Sequence, residues 1–133
     1  VKFSDIKEQD WLHLQAYYDT CLLPITALTG GEAPWQMTME LEKLRDAIDL
    51  IEAPFKGRIV TIPVIQYSSD PLDYFNSYVA SITEQLKKNG FKYVFAVSMN
   101  EQLRDVQLKG VDHLFIAPKK DEITPLIAQL WHS

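Results

Sequence analysis

The sequence predicts an α/β protein: a three-layer α/β/α sandwich around a four-stranded, mainly parallel sheet, a reduced flavodoxin- or Rossmann-like fold. Two observations carry this. Apolar, β-branched runs recur at residues 57–67, 93–98 and 111–117. Amphipathic stretches of helical period lie between them, each with start and stop signals. Near-continuous apolar strands alternating with helices mark a parallel sheet covered on both faces.

The elements follow in order. Asp5 and Glu8, three residues apart, resemble a capping box. Trp11, Leu14, Tyr17, Tyr18 and Cys21 then step at helical spacing, so a first helix is expected from about Ser4 or Asp5. Residues 22–28 read as strand one. Pro24 cannot donate to a ladder and is expected at or near its start. Thr29-Gly30-Gly31-Glu32-Ala33-Pro34 is a loop by composition, and Trp35 follows it in a loop-like stretch. Met37, Leu41, Leu44, Ile48 and Ile51 form the apolar stripe of helix two, with charged residues on the opposite face. Strand two, about residues 58–67, carries Pro63 in its middle, which points to an edge strand or a bulge. Asp70-Pro71 supplies an N-cap and an N1 proline for helix three. Phe75, Val79, Ile82 and Leu86 give that helix its buried face, and Lys87-Lys88-Asn89-Gly90 ends it. Strand three spans residues 93–98. Asn100 is expected to cap a short helix ending at Lys109-Gly110. Strand four covers residues 113–117 and Pro118 closes it. A last helix starts at Asp121 or Thr124 and runs to Trp131, with Ile123, Ile127, Leu130 and Trp131 inward. Right-handed crossovers then favour the strand order 2-1-3-4, which puts the Pro63 strand at an edge.

The 133 residues form one domain over 1–133, long enough to bury roughly two-thirds of the unfolded surface. No apolar run approaches the roughly 20 residues of a membrane span, so no membrane insertion is expected. The first residues lack a basic-then-apolar signal pattern. With a single cysteine, Cys21, no intrachain disulfide can form, and a cytoplasmic location is expected. Cys21 lies in an apolar setting and reads as a buried small side chain. Net charge is −5, and the densest basic spots are the pairs Lys87-Lys88 and Lys119-Lys120, which excludes nucleic acid as an expected partner.

Chemistry is sparse. His13, His113 and His132 show no metal-ligand spacing, and no metal or cofactor is expected. No nucleophile elbow, Walker loop or dinucleotide fingerprint is present, so no catalytic residue is assigned; the protein reads first as a non-catalytic binder, and an enzyme of unknown class is left open. In such a sheet, ligands bind beyond the strand carboxyl ends where strand order reverses. The candidate ligand residues there are Gly30, Gly31, Ser68, Ser98 and Asn100. Two readings stand for them. The Gly30 and Gly31 amides could cradle a small anion, such as a phosphorylated metabolite or nucleotide; or the glycines only turn the chain while Asn100 caps a helix. Trp35 and Tyr67 are candidate contact residues for a protein partner. Oligomeric state is left open.

Tyr18-Asp19-Thr20-Cys21-Leu22-Leu23-Pro24, Phe55-Lys56-Gly57-Arg58 and Asn89-Gly90-Phe91-Lys92-Tyr93-Val94-Phe95 resemble the YpiF-like family of uncharacterised Bacillus-type bacterial proteins. The similarity runs over most of the chain, although the fourth helix and the loop after it are shorter here. The resemblance implies a compact cytosolic bacterial protein without an assigned catalytic residue. It also implies an accessory role near the menaquinol:cytochrome c reductase, in respiratory-complex assembly.

Overall fold

A computed structural model describes residues 1–132. The strands are β1 (Thr20–Leu28), β2 (Ile59–Thr61), β3 (Ile65–Tyr67), β4 (Tyr93–Ser98) and β5 (His113–Ile116); the α-helices are α1 (Glu8–Leu14), α2 (Pro34–Glu52), α3 (Leu72–Lys88) and α4 (Lys120–His132). The sheet is parallel, with β1 central: β2 and β3 lie along one side of it, and β4 then β5 along the other. This is the expected order, with the second strand split into two short ones, so that the sheet has five strands rather than four.

Pro63 causes the split. It lies exposed between β2 and β3 on the sheet's edge, where a missing N–H costs no ladder bond. The register also slips there. Ile25 pairs with Ile65 and Leu28 with Tyr67, so β1 bulges around Thr26 and Ala27. Pro24 corrects the expectation of a strand start, since it is the fifth residue of the nine in β1. The Leu22 carbonyl accepts from the Ile62 amide at 3.0 Å, so the Leu22 backbone faces the edge strand. Pro24, two residues on, faces the same side, and its missing donor falls against the break at residues 62–64.

Each face of the sheet has its own core. Leu22, Ile59, Phe95, Val97 and Phe115 pack under α2 and α4, against Leu44, Ile48, Ile51, Ile123 and Ile127. Leu23, Ile25, Ile65 and Ala96 pack under α3 and the 98–111 connection, against Phe75, Val79, Leu103 and Leu108. On that second face, Cys21, Val60, Phe91 and Val94 are covered by Val1, Ile6, Trp11 and Tyr18. Burial pushes the Cys21 thiol up to about 12, which removes its nucleophilic form at neutral pH.

The helical stripes appear where the periodicity predicts, with local corrections. Helix one is a 3-10 turn, Phe3–Asp5, followed by the short α1. Tyr17 and Tyr18 lie in turns, and Cys21 belongs to β1. The long-range pairing of β1 overrides the local helical pattern there. In α2 the core stripe begins at Leu44, while Leu41 stays exposed. α3 opens at Leu72, so Pro71 takes the N-cap position and Asp70 precedes it. The short helix after Asn100 shrinks to a 3-10 turn, Glu101–Leu103, though Asn100 does cap it: its Oδ1 accepts the Gln102 amide at 2.9 Å. β5 stops at Ile116 because Ala117 turns into the left-handed region, φ 44°. α4 starts at Lys120, one residue before the earlier of the two expected starts, and carries Pro125 inside it.

The amino ends of the strands are tied together by polar contacts. Arg58 grips Asp19 with Nε at 2.8 Å and Nη2 at 3.0 Å, a two-pronged geometry that suits guanidinium and carboxylate. The same guanidinium lies 3.7 Å over the Trp131 ring. The Trp131 indole N–H donates to Thr20 Oγ1 at 2.9 Å. Trp131 and Phe55 meet edge to face at 4.9 Å. Near the edge strand, Glu52 accepts from Lys2 Nζ at 2.7 Å and from the Thr61 hydroxyl at 2.9 Å. Burial raises its carboxyl, but the ammonium groups of Lys2 and Val1 and the Thr61 hydroxyl outweigh that and leave it lowered overall.

Candidate functional site

Strand order reverses between β1 and β4, and an open cleft of about 390 Å³ lies at their carboxyl ends. That volume is within the range of small-ligand sites. Larger hollows of 520 and 500 Å³ flank the Pro63 edge strand instead. They run along the edge strand, away from the reversal.

The cleft floor is the β1 bulge. Ala27 takes φ 62°, a left-handed conformation that costs a non-glycine residue about 1 kcal/mol. Its carbonyl accepts from Asn100 Nδ2 at 3.2 Å. The ladder with β4 ends at Ile25 opposite Ser98, so the Asn100 side chain stands in for the next strand residue. Ala27 and Ala117 are the non-glycine residues with positive φ among those described, and both lie at strand carboxyl ends. Backbone strain of this kind concentrates at functional sites.

One wall is the first turns of α2. Pro34 occupies N1, and the Gln36 side chain reaches back to accept the Ala33 amide at 2.8 Å, a capping-box half that starts the helix sharply. Trp35 therefore sits in a helix rather than a loop, 64% exposed. Met39, four residues on, shares its face, and it too is exposed. Both line the cleft, with Met99 opposite from the β4 end.

The loop entering α2 is closed on itself. The Thr29 amide donates to Glu32 Oε2 at 2.9 Å, the Gly30 amide to Glu32 Oε1 at 2.9 Å, and the Thr29 hydroxyl to Oε2 at 3.1 Å. The Gly31 amide donates to Thr29 Oγ1 at 3.1 Å. The donors that could cradle an anion thus hold the chain's own carboxylate. The Thr29 amide leads in keeping the Glu32 carboxyl below its ordinary value, against a smaller desolvation effect.

Of the residues singled out from sequence, Trp35 and Asn100 line the cleft. Gly30 and Gly31 form the turn beside it; Gly30, at φ 93°, uses its conformational freedom there. Ser98 is fully buried and its hydroxyl accepts the Asn100 amide at 3.1 Å. The Ser68 amide pairs with the Leu28 carbonyl at 2.9 Å. Tyr67 is exposed but lines the hollow on the α3 side of the edge strand, with Tyr78. Sequence reasoning brought the loops holding Glu32 and Met99 to the reversal but gave no role there to Glu32, Met39, Glu40, Met99 or Glu101. A helix start placed at Pro34 would have found Met39 and Glu40, because it puts both on the first turns beside Trp35.

The histidines stay apart. His113 packs edge to face on Phe115 at 4.6 Å, and burial lowers its pKa. Among the described residues no group of three or more His, Cys, Asp or Glu side chains is placed to hold a metal ion. No helix among them is long and apolar enough to cross a membrane.

Fold and cleft together define a small, doubly wound α/β protein with its open site at the strand-order reversal. A family description matches residues 9–130. The chain belongs to that family, the proteins of unknown function DUF2487. No curated protein and no solved structure matches it.

Proposed function

We propose that this protein is a non-catalytic binding protein whose contact site is the Trp35 cleft. The observation that carries this is the exposed indole of Trp35 beside a cleft at the strand-order reversal. A large aromatic side chain left in water at a concave site is the usual anchor of a binding contact. The cleft's polar groups support binding over catalysis. Asn100 is engaged by Ala27 and Gln102, Glu32 by its own loop, and the Thr26 hydroxyl by Gln66 at 2.8 Å. No nucleophile–base pair stands among them.

Thermal-shift screening against a panel of cationic, neutral and anionic small molecules tests the reading. A ligand at 100 times its Kd adds about 2.7 kcal/mol of stability. The expected result is a stabilising compound whose effect disappears in Trp35→Ala. Compounds that stabilise Trp35→Ala as strongly as the unsubstituted chain would overturn it.

The YpiF-like resemblance supplies a setting for such a binder: an accessory role in assembling the menaquinol:cytochrome c reductase of a Bacillus-type bacterium, from the cytoplasmic side. Deleting the gene and measuring assembled reductase tests that setting. Undiminished reductase would remove it and leave the cleft reading in place.

A further inference from the structure

We infer that the Trp35 cleft takes an organic cation, an alkylammonium group on a partly apolar body. This rests on the reading of the cleft as the binding site and adds the chemical class of its occupant. Glu32, Glu40 and Glu101 line the cleft, and no Lys, Arg or His does. Glu101 is held by Arg104 at 2.7 and 2.8 Å. Glu40 has a looser partner in Lys43, at 3.3 Å and half exposed, so its charge is available to a competitor at little cost. Glu32 is held by neutral amides and a hydroxyl rather than by a cation, so its negative charge is not cancelled.

An anion entering this cleft meets carboxylates and finds the loop amides already engaged. A cation meets those carboxylates and the face of Trp35, the aromatic ring best suited to hold it. Met39 and Met99 add polarizable, apolar surface for the body that carries the charge. The Gly-Gly loop, which in sequence points to an anion, becomes through Glu32 part of a cation-selective wall.

The test is an NMR titration of the ¹⁵N-labelled full chain, read at the Trp35 indole and the Glu32, Met99 and Asn100 amides. The probes are choline, its neutral isostere 3,3-dimethylbutan-1-ol, spermidine, a blocked Gly-Lys-Gly peptide and AMP. Choline, spermidine or the lysine peptide is expected to shift these signals saturably, with the isostere weaker than choline by roughly three- to thirtyfold. Trp35→Leu should weaken the best cation by a similar factor, and Glu40→Gln by roughly two- to fivefold, with amide spectra elsewhere unchanged. Tighter binding of the free amines assigns a small metabolite. Tighter binding of the peptide assigns a lysine presented by a protein. Equal binding of choline and its isostere, or tighter binding of AMP, would overturn the cation inference while leaving the cleft as a binding site. Silence of these signals to every probe would overturn the inference; the mixed panel above then decides the cleft reading separately.

Discussion

Trp131 and Trp35 stand at opposite ends of this sheet and are used in opposite ways, while Trp11 packs on Phe91. At the amino end, Trp131 is enclosed by Phe55 and Phe95, covered by Arg58 and hydrogen-bonded to Thr20. At the carboxyl end, Trp35 projects from the first turn of α2 into water. The amino end satisfies its polar groups across elements: Asp19 and Arg58 join the start of β1 to the approach to β2, and Asp112 accepts the Val94 amide at 2.8 Å while meeting Lys87 at 3.2 Å. The carboxyl end mixes two kinds of contact: Asn100 reaches Ala27 and Thr26 meets Gln66 across the sheet, while Glu32 is satisfied within its own loop, and this end carries the left-handed alanines. Long-range contacts stabilise the fold, whereas short-range closure leaves a surface free to meet something else. In this molecule stability is invested at one end and exposure at the other.

The largest effect that would break this contrast lies in the two tryptophans. Trp131→Ala should cost about 3–5 kcal/mol of stability, because it empties an aromatic cluster and strands the Thr20 and Arg58 contacts. Trp35→Ala should stay within about 0.5 kcal/mol. Urea denaturation midpoints measure both, and comparable losses at the two positions would break the contrast.

Two glycines give a finer comparison. Gly110, before β5, has φ 87°, and an added Cβ would run into the Thr83 side chain. Thr83 is itself held, donating to the Lys109 carbonyl at 3.0 Å. Gly30, at the carboxyl end, has φ 93° with open space where a Cβ would go. Gly110→Ala should therefore cost about 2–4 kcal/mol, from left-handed strain plus overpacking. Gly30→Ala should cost about 1 kcal/mol, from strain alone. Equal costs, by the same denaturation measurement, would show that the amino end yields as easily as the rim.

Acid should separate the regions with the smallest effect. His113 has its pKa lowered by burial, so on acidification the unfolded chain takes its proton first. Stability is therefore unaffected above the ordinary histidine value of 6.5 and falls as pH drops through that value toward the lower folded one. Glu52 keeps its charge below the ordinary carboxyl value of 4.5; its contribution is present above 4.5 and is lost as pH falls through its folded value. His113→Gln should flatten the first decline and Glu52→Gln the second. Glu32→Gln, on the exposed rim, should leave the first decline unchanged and soften the second, because the Thr29 amide also holds its carboxyl below 4.5. Thermal unfolding followed from pH 8 to pH 3 measures all three, and an acid profile altered by Glu32→Gln alone would reverse the assignment.

The parts of the fold that could be read from residue order are those with local causes. Pro63 within an apolar run pointed to an edge strand or a bulge, and the edge is there, with a register shift in the facing β1. Lys87-Lys88-Asn89-Gly90 announced the end of α3, and Gly90 takes φ 110°. The position of the Trp35 cleft also followed, because strand-order reversal is a consequence of topology. Its content did not. Gly30 and Gly31 look the same in sequence whether their loop receives a ligand or Glu32. Trp35 looks like loop until the Gln36 side chain closes the helix start at Ala33.

The sequence by itself determined the alternation of strands and helices, the edge position of the Pro63 strand and the absence of a recognisable catalytic motif, since apolar period, proline and glycine act over a few residues. Only the tertiary structure decided that Pro24 could sit inside the central strand, that Asn100 would extend the ladder to Ala27, and that Trp131 would be enclosed and Trp35 left in water. Each of those depends on which residues the sheet brings together across 40 to 111 positions of chain. Neighbouring residues in the sequence do not encode such meetings; the pairing of β1 with both of its flanks does.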